Sequence, residues 1–208
     1  MFSDGDNEIC LIVGLGNPDS KYLKTRHNAG FMIADSLLDS CRGREEKKSP
    51  GGIVSTARFA GREIHILKPV TYMNLSGDAV KWFLEKKKMT PAKMLVIHDD
   101  IDILLGRIRI CSGGGTAGHN GLESIIEKSG SADFARLRAG IGVQSAIDMP
   151  RREFVLSEFS GKEMEIFLRT VEMAVSAVKL VLKRGLSKAM NDFNGLDSDK
   201  FETNKKEN

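Results

Sequence analysis

The chain has 208 residues, 41% hydrophobic and 28% charged, enough to bury one core without disulfides or structural metal, and this composition excludes an intrinsically disordered chain. A net charge of +3 and a pI near 8.7 fit a polyanionic partner but fall far below the charge density of a protein that coats nucleic acid. Cys10, Cys41 and Cys111 form no C-x-x-C pair and read as reduced and structural. Acidic Asp4, Asp6 and Glu8 stand where a secretory signal needs positive charge, and no stretch reaches the roughly 18 apolar residues of a membrane span. The expected compartment is the cytoplasm.

In chain order, residues 9–15 (ICLIVGL) predict a buried strand that stops at Gly16, Asn17 and Pro18. Phe31, Ala34, Leu37, Leu38 and Cys41 recur at helical spacing and predict a helix over 30–41, followed by a charged loop, RGREEKKSPGG. Residues 53–60 and 63–68 read as a hairpin turning at Gly61 and Arg62. After the loop TYMNLSG, Val80, Phe83 and Leu84 mark a second helix, and 94–98 (MLVIH) a strand running into Asp99, Asp100 and Asp102. A strand at 107–111, the loop SGGGTAGHNG, a short helix through Leu122, Ile125 and Ile126, and a strand at 136–143 follow. The last long helix, 161–185, carries a core stripe at Met164, Phe167, Leu168, Val171, Val175, Val178 and Leu182. From Gly195 onward no apolar periodicity remains, which predicts a frayed tail. Strands alternating with helices predict a single α/β domain whose central sheet, mostly parallel or mixed, is flanked by helices on both faces.

Four polar clusters fall in loops. The first joins GLGNP to TRHNAG and holds Asn17, Tyr22, His27 and Asn28; its glycines do not make a dinucleotide site, because the G-x-G-x-x-G pattern breaks at Pro18, Asp19 and Ser20. Taken alone, His27 fits a helix-start histidine as well as a functional one. The second, TYMNLSG, offers Tyr72 and Asn74, and an amide there can equally cap the next helix. The third, HDDID at 98–102, suggests a carboxylate that orients a histidine, a divalent-metal site, or a solvated acidic turn. The fourth, GGGTAGHNG, lets backbone approach a ligand closely and ends in His119 and Asn120, but it lacks the Lys-Ser or Lys-Thr of a P-loop. No spacing shows by itself that the four loops meet.

Taken in order, LIVGLGNP, TRHNAGF, YMNLSG, HDDID, GGGTAGHNGL and RLRAGIG resemble the bacterial-type peptidyl-tRNA hydrolases from about residue 9 to residue 194, and KAMNDFN at 188–194 resembles the end of that family's domain. The resemblance implies a catalytic domain over 1–194 with a flexible tail over 195–208. It further implies a monomer without metal or organic cofactor that hydrolyses the ester between a peptide and tRNA, with tRNA as partner and no membrane. By motif, His27 is implied as the base and Asp99 as its orienter. Asn17 is implied to contact the peptide and help require a blocked amino group, while Tyr22, Tyr72, Asn74 and Asn120 line the groove. Arg138 stands where the family has an arginine assigned to tRNA phosphate, with Arg109 or Arg107 as a further contact. The chain departs from some relatives at Cys111, where a phosphate-binding lysine can occur, at Glu123, where a basic residue is common, and in the loop QSAIDMPRREF.

The residue types suit such chemistry. A neutral imidazole, pKa about 6.5, takes a proton from water at physiological pH, and a carboxylate behind it stabilises the imidazolium. An amide donor to the oxyanion of a tetrahedral intermediate is worth about 3 kcal/mol in other acyl-transfer enzymes. Two competing readings are a metal-dependent hydrolase using His98, Asp99, Asp102 and His119, and a non-enzymatic RNA-binding module built on the glycine-rich loop and basic residues.

Overall fold

The computed structural model describes residues 8–43, 45–144 and 148–201. Among these, seven strands form one sheet: β1 (Leu11–Gly14), β2 (Glu45–Ser49), β3 (Gly52–Phe59), β4 (Arg62–Pro69), β5 (Met94–Leu104), β6 (Ile108–Ser112) and β7 (Ala135–Gly142). Their spatial order is β2-β3-β4-β1-β5-β7-β6. β4, β1, β5 and β7 run parallel, while β2 with β3 at one edge and β6 at the other pair antiparallel. The helices are α1 (Ala29–Ser40), α2 (Ser76–Lys87), α3 (Asn120–Ser129), α4 (Arg151–Leu156), α5 (Gly161–Arg184) and α6 (Leu186–Phe193).

Alternation along β1 explains why both faces are covered. Leu11, Val13 and Leu15 enter one apolar cluster with Val80 and Phe83 of α2 and Leu122 and Ile125 of α3. Ile12 enters the other, with Ile33 and Leu37 of α1 and Phe167, Ala174 and Val178 of α5. A strand that sends apolar side chains both ways has no solvated face, so it reads as a continuous hydrophobic run. The mixed sheet between two helical layers is the predicted class.

The sheet was shorter in prospect than in fact. The charged segment expected as a loop contains β2, an edge strand that pairs with β3 from Glu45↔Thr56 to Ser49↔Gly52. Charge suits a sheet edge as well as a loop, so composition does not tell the two apart. The β3–β4 turn is Ala60–Gly61, not Gly61–Arg62: Phe59 pairs with Arg62, and φ is 51° at Ala60 and 80° at Gly61. Two left-handed residues match the twist of a hairpin's strands. β5 runs on through the acids to Leu104, and α4 takes up the end of the loop expected at 144–154; residues 145–147 of that loop lie outside the described residues. Leu168 is 55% exposed, which removes it from the α5 core stripe.

The chain does not fray at Gly195. Asn194 lays its amide against the free edge of β6, accepting from Ile110 N at 2.7 Å and donating to Ile110 O at 2.9 Å. Asp197 bridges to Arg107, Ser198 N donates to Gly106 O at 2.7 Å, and Leu196 and Phe201 pack against the core. A sheet edge of unpaired backbone groups is satisfied in this way without another strand. The expected tail therefore docks at least to Phe201, and 202–208 lie outside the described residues, as do Asp4 and Asp6.

Candidate active site

The parallel strands set the site. β1 ends its pairing with β5 at Gly14↔Ile97, whereas β5 continues beside β7 through Asp99↔Ala139 and Asp100↔Gly140. A crevice opens there, past the carboxyl end of β1, the usual ligand position in open α/β sheets. Chain leaving β1 returns into α1 so closely that a Cβ at Gly30 would collide with the Ile97 carbonyl and the Leu15 backbone. That approach carries His27, two residues before α1, over the end of β5. On the other face, a Cβ at Gly77 would collide with the Ser124 carbonyl, and Gly77 N donates to Ser124 Oγ at 2.9 Å. The first turns of α2 and α3 are thereby joined, with Asn74 and Asn120 beside them.

At the floor of a cleft of about 750 Å³, Asp99 Oδ1 accepts from two imidazoles. His27 Nδ1 lies at 2.9 Å and His119 Nε2 at 3.1 Å. His119 Nδ1 accepts from Gly121 N at 3.2 Å, so the proton of neutral His119 sits on Nε2. With Nδ1 of His27 committed to Asp99, its Nε2 is the nitrogen presented to the cleft. Burial favours the uncharged form of His27, but the Asp99 carboxylate and its hydrogen bond outweigh burial and raise the pKa above the ordinary imidazole value. Burial alone would raise Asp99, yet His27 and His119, through charge and hydrogen bonds, hold it well below the usual carboxylate range. His98 donates from Nδ1 to the Asp99 carbonyl at 2.8 Å. Burial first and His119 second push its pKa down to about 3, so it is neutral.

Asn17 is oriented just as firmly. Its backbone N donates to Asn28 Oδ1 at 2.8 Å and its carbonyl accepts from Asn28 Nδ2 at 3.0 Å. Its side-chain Oδ1 accepts from Met73 N at 3.2 Å, which leaves Nδ2 as a donor toward the cleft. Asn74 caps no helix with its side chain.

Seven of the nine residues singled out from sequence line this one cleft: Asn17, Tyr22, His27, Tyr72, Asn74, Asp99 and Asn120. Arg138 and Arg109 do not line it. They are cross-strand neighbours on β7 and β6, and Arg138 Nε donates to Asp100 Oδ2 at 2.7 Å. Sequence reasoning named His119 and Asn28 among the polar clusters but missed their contacts, His119 as the second donor to Asp99 and Asn28 as the partner of Asn17. Each stands next to a residue already singled out, but its contact spans a loop that spacing does not reveal. Arg151, Arg152, Val155 and Leu156 of α4 form a further wall, and Arg151 pairs with Asp102 at 3.1 Å. Glu123 accepts from Thr116 Oγ1 at 3.1 Å, so it braces the glycine-rich loop.

The geometry also bears on metal binding. Among the described residues, the ligand atoms that converge within 4.8 Å belong to His27, Asp99 and His119, not to the set His98, Asp99, Asp102 and His119. A metal on His119 Nε2 would move that ring's proton to Nδ1, directly against the Gly121 N–H. As built, the two imidazoles donate hydrogen bonds to Asp99.

Known proteins resemble this chain along most of its length. The family model described as peptidyl-tRNA hydrolase matches residues 11–204. The peptidyl-tRNA hydrolase of Geobacter sp. (strain M21) is 42% identical over 184 residues, covering 88% of this chain and 97% of its own. That of Thermodesulfovibrio yellowstonii is 42% identical over 188 residues, covering 89% and 99%. A crystal structure of peptidyl-tRNA hydrolase from Acinetobacter baumannii superposes with a TM-score of 0.85 at 37% identity, covering 95% of this chain and 100% of that one. In the described residues no helix is long and apolar enough to cross a membrane. On sequence and fold, the chain belongs to the peptidyl-tRNA hydrolase family.

Proposed function

We propose that this protein hydrolyses the ester between peptide and tRNA with His27 as general base and Asp99 as the group that orients it. The observation that carries the mechanism is the 2.9 Å contact of His27 Nδ1 with a buried carboxylate at the floor of the cleft. His27 Nε2 takes a proton from water, and the water oxygen adds to the ester carbonyl. The resulting imidazolium, stabilised by Asp99, returns the proton to the ribose oxygen as the bond to the acyl carbon breaks. Free tRNA and peptide are the products, with no covalent intermediate. Exposed Asn74 and Asn120 supply amide donors for the oxyanion, and Asn17 Nδ2 binds the peptide's acylated end. Tyr22 and Tyr72 line the groove for peptide and the tRNA 3′ end.

On the RNA side, Arg109 and Arg138 are the phosphate contacts; Asp100 engages only Nε of Arg138, leaving its other nitrogens for an anion. The same reading makes the protein a monomer at work in the cytoplasm. His27→Ala abolishes turnover of N-acetylated aminoacyl-tRNA while tRNA binding and folding persist; retained turnover refutes the base. The free-amine substrate is cleaved far more slowly than its acetylated counterpart, and equal rates refute the role of Asn17.

A further inference from the structure

Arg26 immediately precedes His27, yet its side chain leaves the cleft and is buried. Its Nη2 donates to both carboxylate oxygens of Glu163 at 2.9 Å, and its Nε donates to Ser157 Oγ at 3.2 Å. The guanidinium lies 4.5 Å from the ring centroid of Phe154 and 4.8 Å from that of Phe159. Backbone bonds run alongside, from Arg26 N to Ser157 O at 3.1 Å and from Phe159 N to Lys24 O at 3.4 Å. Glu163 is itself fixed, because it closes a capping box with Ser160 at the start of α5.

Every partner of this guanidinium therefore belongs to residues 154–163, the segment between the end of α4 and the start of α5. Within that stretch Val155 and Leu156 face the cleft as its apolar wall. We propose that Arg26 is a positioning residue: through Phe154 and Ser157 it locks the His27 turn to the end of α4, through Glu163 to the start of α5, and so fixes the general base relative to the cleft wall formed by Val155 and Leu156.

The residue type suits this task. A planar guanidinium reaches Glu163 through Nη2 and Ser157 through Nε while it packs on aromatic rings, and a lysine ammonium has neither the second nitrogen nor a face to pack. The lock acts on distance, not on charge at the base. The His27 pKa is set by burial and by Asp99, which hydrogen-bonds its Nδ1. Alignment of reacting atoms is steeply distance-dependent, and a shift of about 1 Å costs up to roughly a hundredfold in rate.

The test uses Arg26→Lys and Glu163→Gln, assayed on N-acetylated aminoacyl-tRNA at a temperature where circular dichroism shows each variant folded. Expected in each is a fall in kcat of about tenfold, a KM within about twofold of wild type, and an unmoved acid limb in the pH–kcat profile. Because the two side chains act as one link, the double variant loses no more than the worse single variant. A merely structural role predicts a lower Tm with wild-type kcat per folded molecule; that result overturns the inference, and so does a shifted acid limb or a multiplicative loss in the double variant. Where Arg26→Lys does not fold, Glu163→Gln decides the matter alone by its kcat. The inference rests on the ester-hydrolase reading: absent turnover in the wild type refutes that reading, whereas wild-type turnover with unimpaired variants refutes only the lock.

Discussion

Two clefts of similar size open at opposite ends of the parallel strands. The one past the carboxyl ends has about 750 Å³ and is lined by buried Asn17, His27, His98, Asp99 and Asp100. The other, near the amino ends, has about 600 Å³, but its ionisable groups, Glu8, Asp133, Lys183 and Arg184, are all exposed. Volume does not separate them. What separates them is that the first keeps charged and titratable groups out of water, which is costly unless each is paired. A fold accepts that cost where chemistry needs displaced pKa values and fixed hydrogen-bond directions.

The largest expected effect removes the charge at the centre of the first cleft. Asp99→Asn keeps the shape of the side chain but loses the carboxylate that offsets burial at His27. In wild type the base is active when neutral, so the rate rises with pH through a pKa raised above the ordinary imidazole value and then levels. Without the carboxylate, burial dominates and lowers that pKa, so the acid limb moves to lower pH. The imidazolium also loses its stabilising partner, and kcat falls by about a hundred- to ten-thousandfold. A pH–rate profile of the variant checks both effects; an unmoved limb would mean that Asp99 does not set the His27 pKa.

The residues of the first cleft were legible in the sequence, because they sit in short motifs at element boundaries, although no spacing showed that those motifs meet. Apolar runs and helical periodicity place β1, α1, α2 and α5 within a few residues, since burial on a sheet face or helix stripe leaves a local trace. The misses were contacts that cross the fold. β2 is charged and exists because β3 pairs with it. The segment after Gly195 has little apolar content and is held by Asn194 on a strand edge and by Ser198 on Gly106. His119 is assigned its tautomer by Gly121 and its function by Asp99, 20 residues away in sequence. Leu168 satisfies the α5 spacing yet faces solvent, because periodicity shows which residues share a stripe and not how wide the covering layer is.

A smaller effect, on stability rather than rate, tests the cost of the buried end. His98 has a pKa of about 3 in the folded protein and about 6.5 when unfolded. Between these values the unfolded chain binds a proton that the folded one refuses, so stability falls as pH drops from about 6.5 toward 3. One such proton contributes about 1.4 kcal/mol per pH unit. Urea unfolding at a series of pH values should show His98→Phe with an acid slope shallower by that amount, although it also loses the bond to the Asp99 carbonyl. An identical slope would place the acid sensitivity elsewhere.

The smallest effect is expected at the opposite end, and it is the one that most directly tests whether the two clefts differ in kind. Lys183 and Arg184 stand in the last turn of α5, where positive charge complements the helix dipole by about 0.3–1 kcal/mol per residue. That accounts for their presence without a ligand. Lys183→Ala with Arg184→Ala should therefore leave kcat within about twofold and cost only this small stability. Since the substrate is a polyanion, the salt dependence of KM is the stricter measurement. Each lost phosphate contact lowers the logarithmic salt slope by about one, so an unchanged slope keeps the RNA at the carboxyl-end cleft. A slope reduced by about two would carry the tRNA body around to the far end, and the second cleft would then belong to the substrate's footprint.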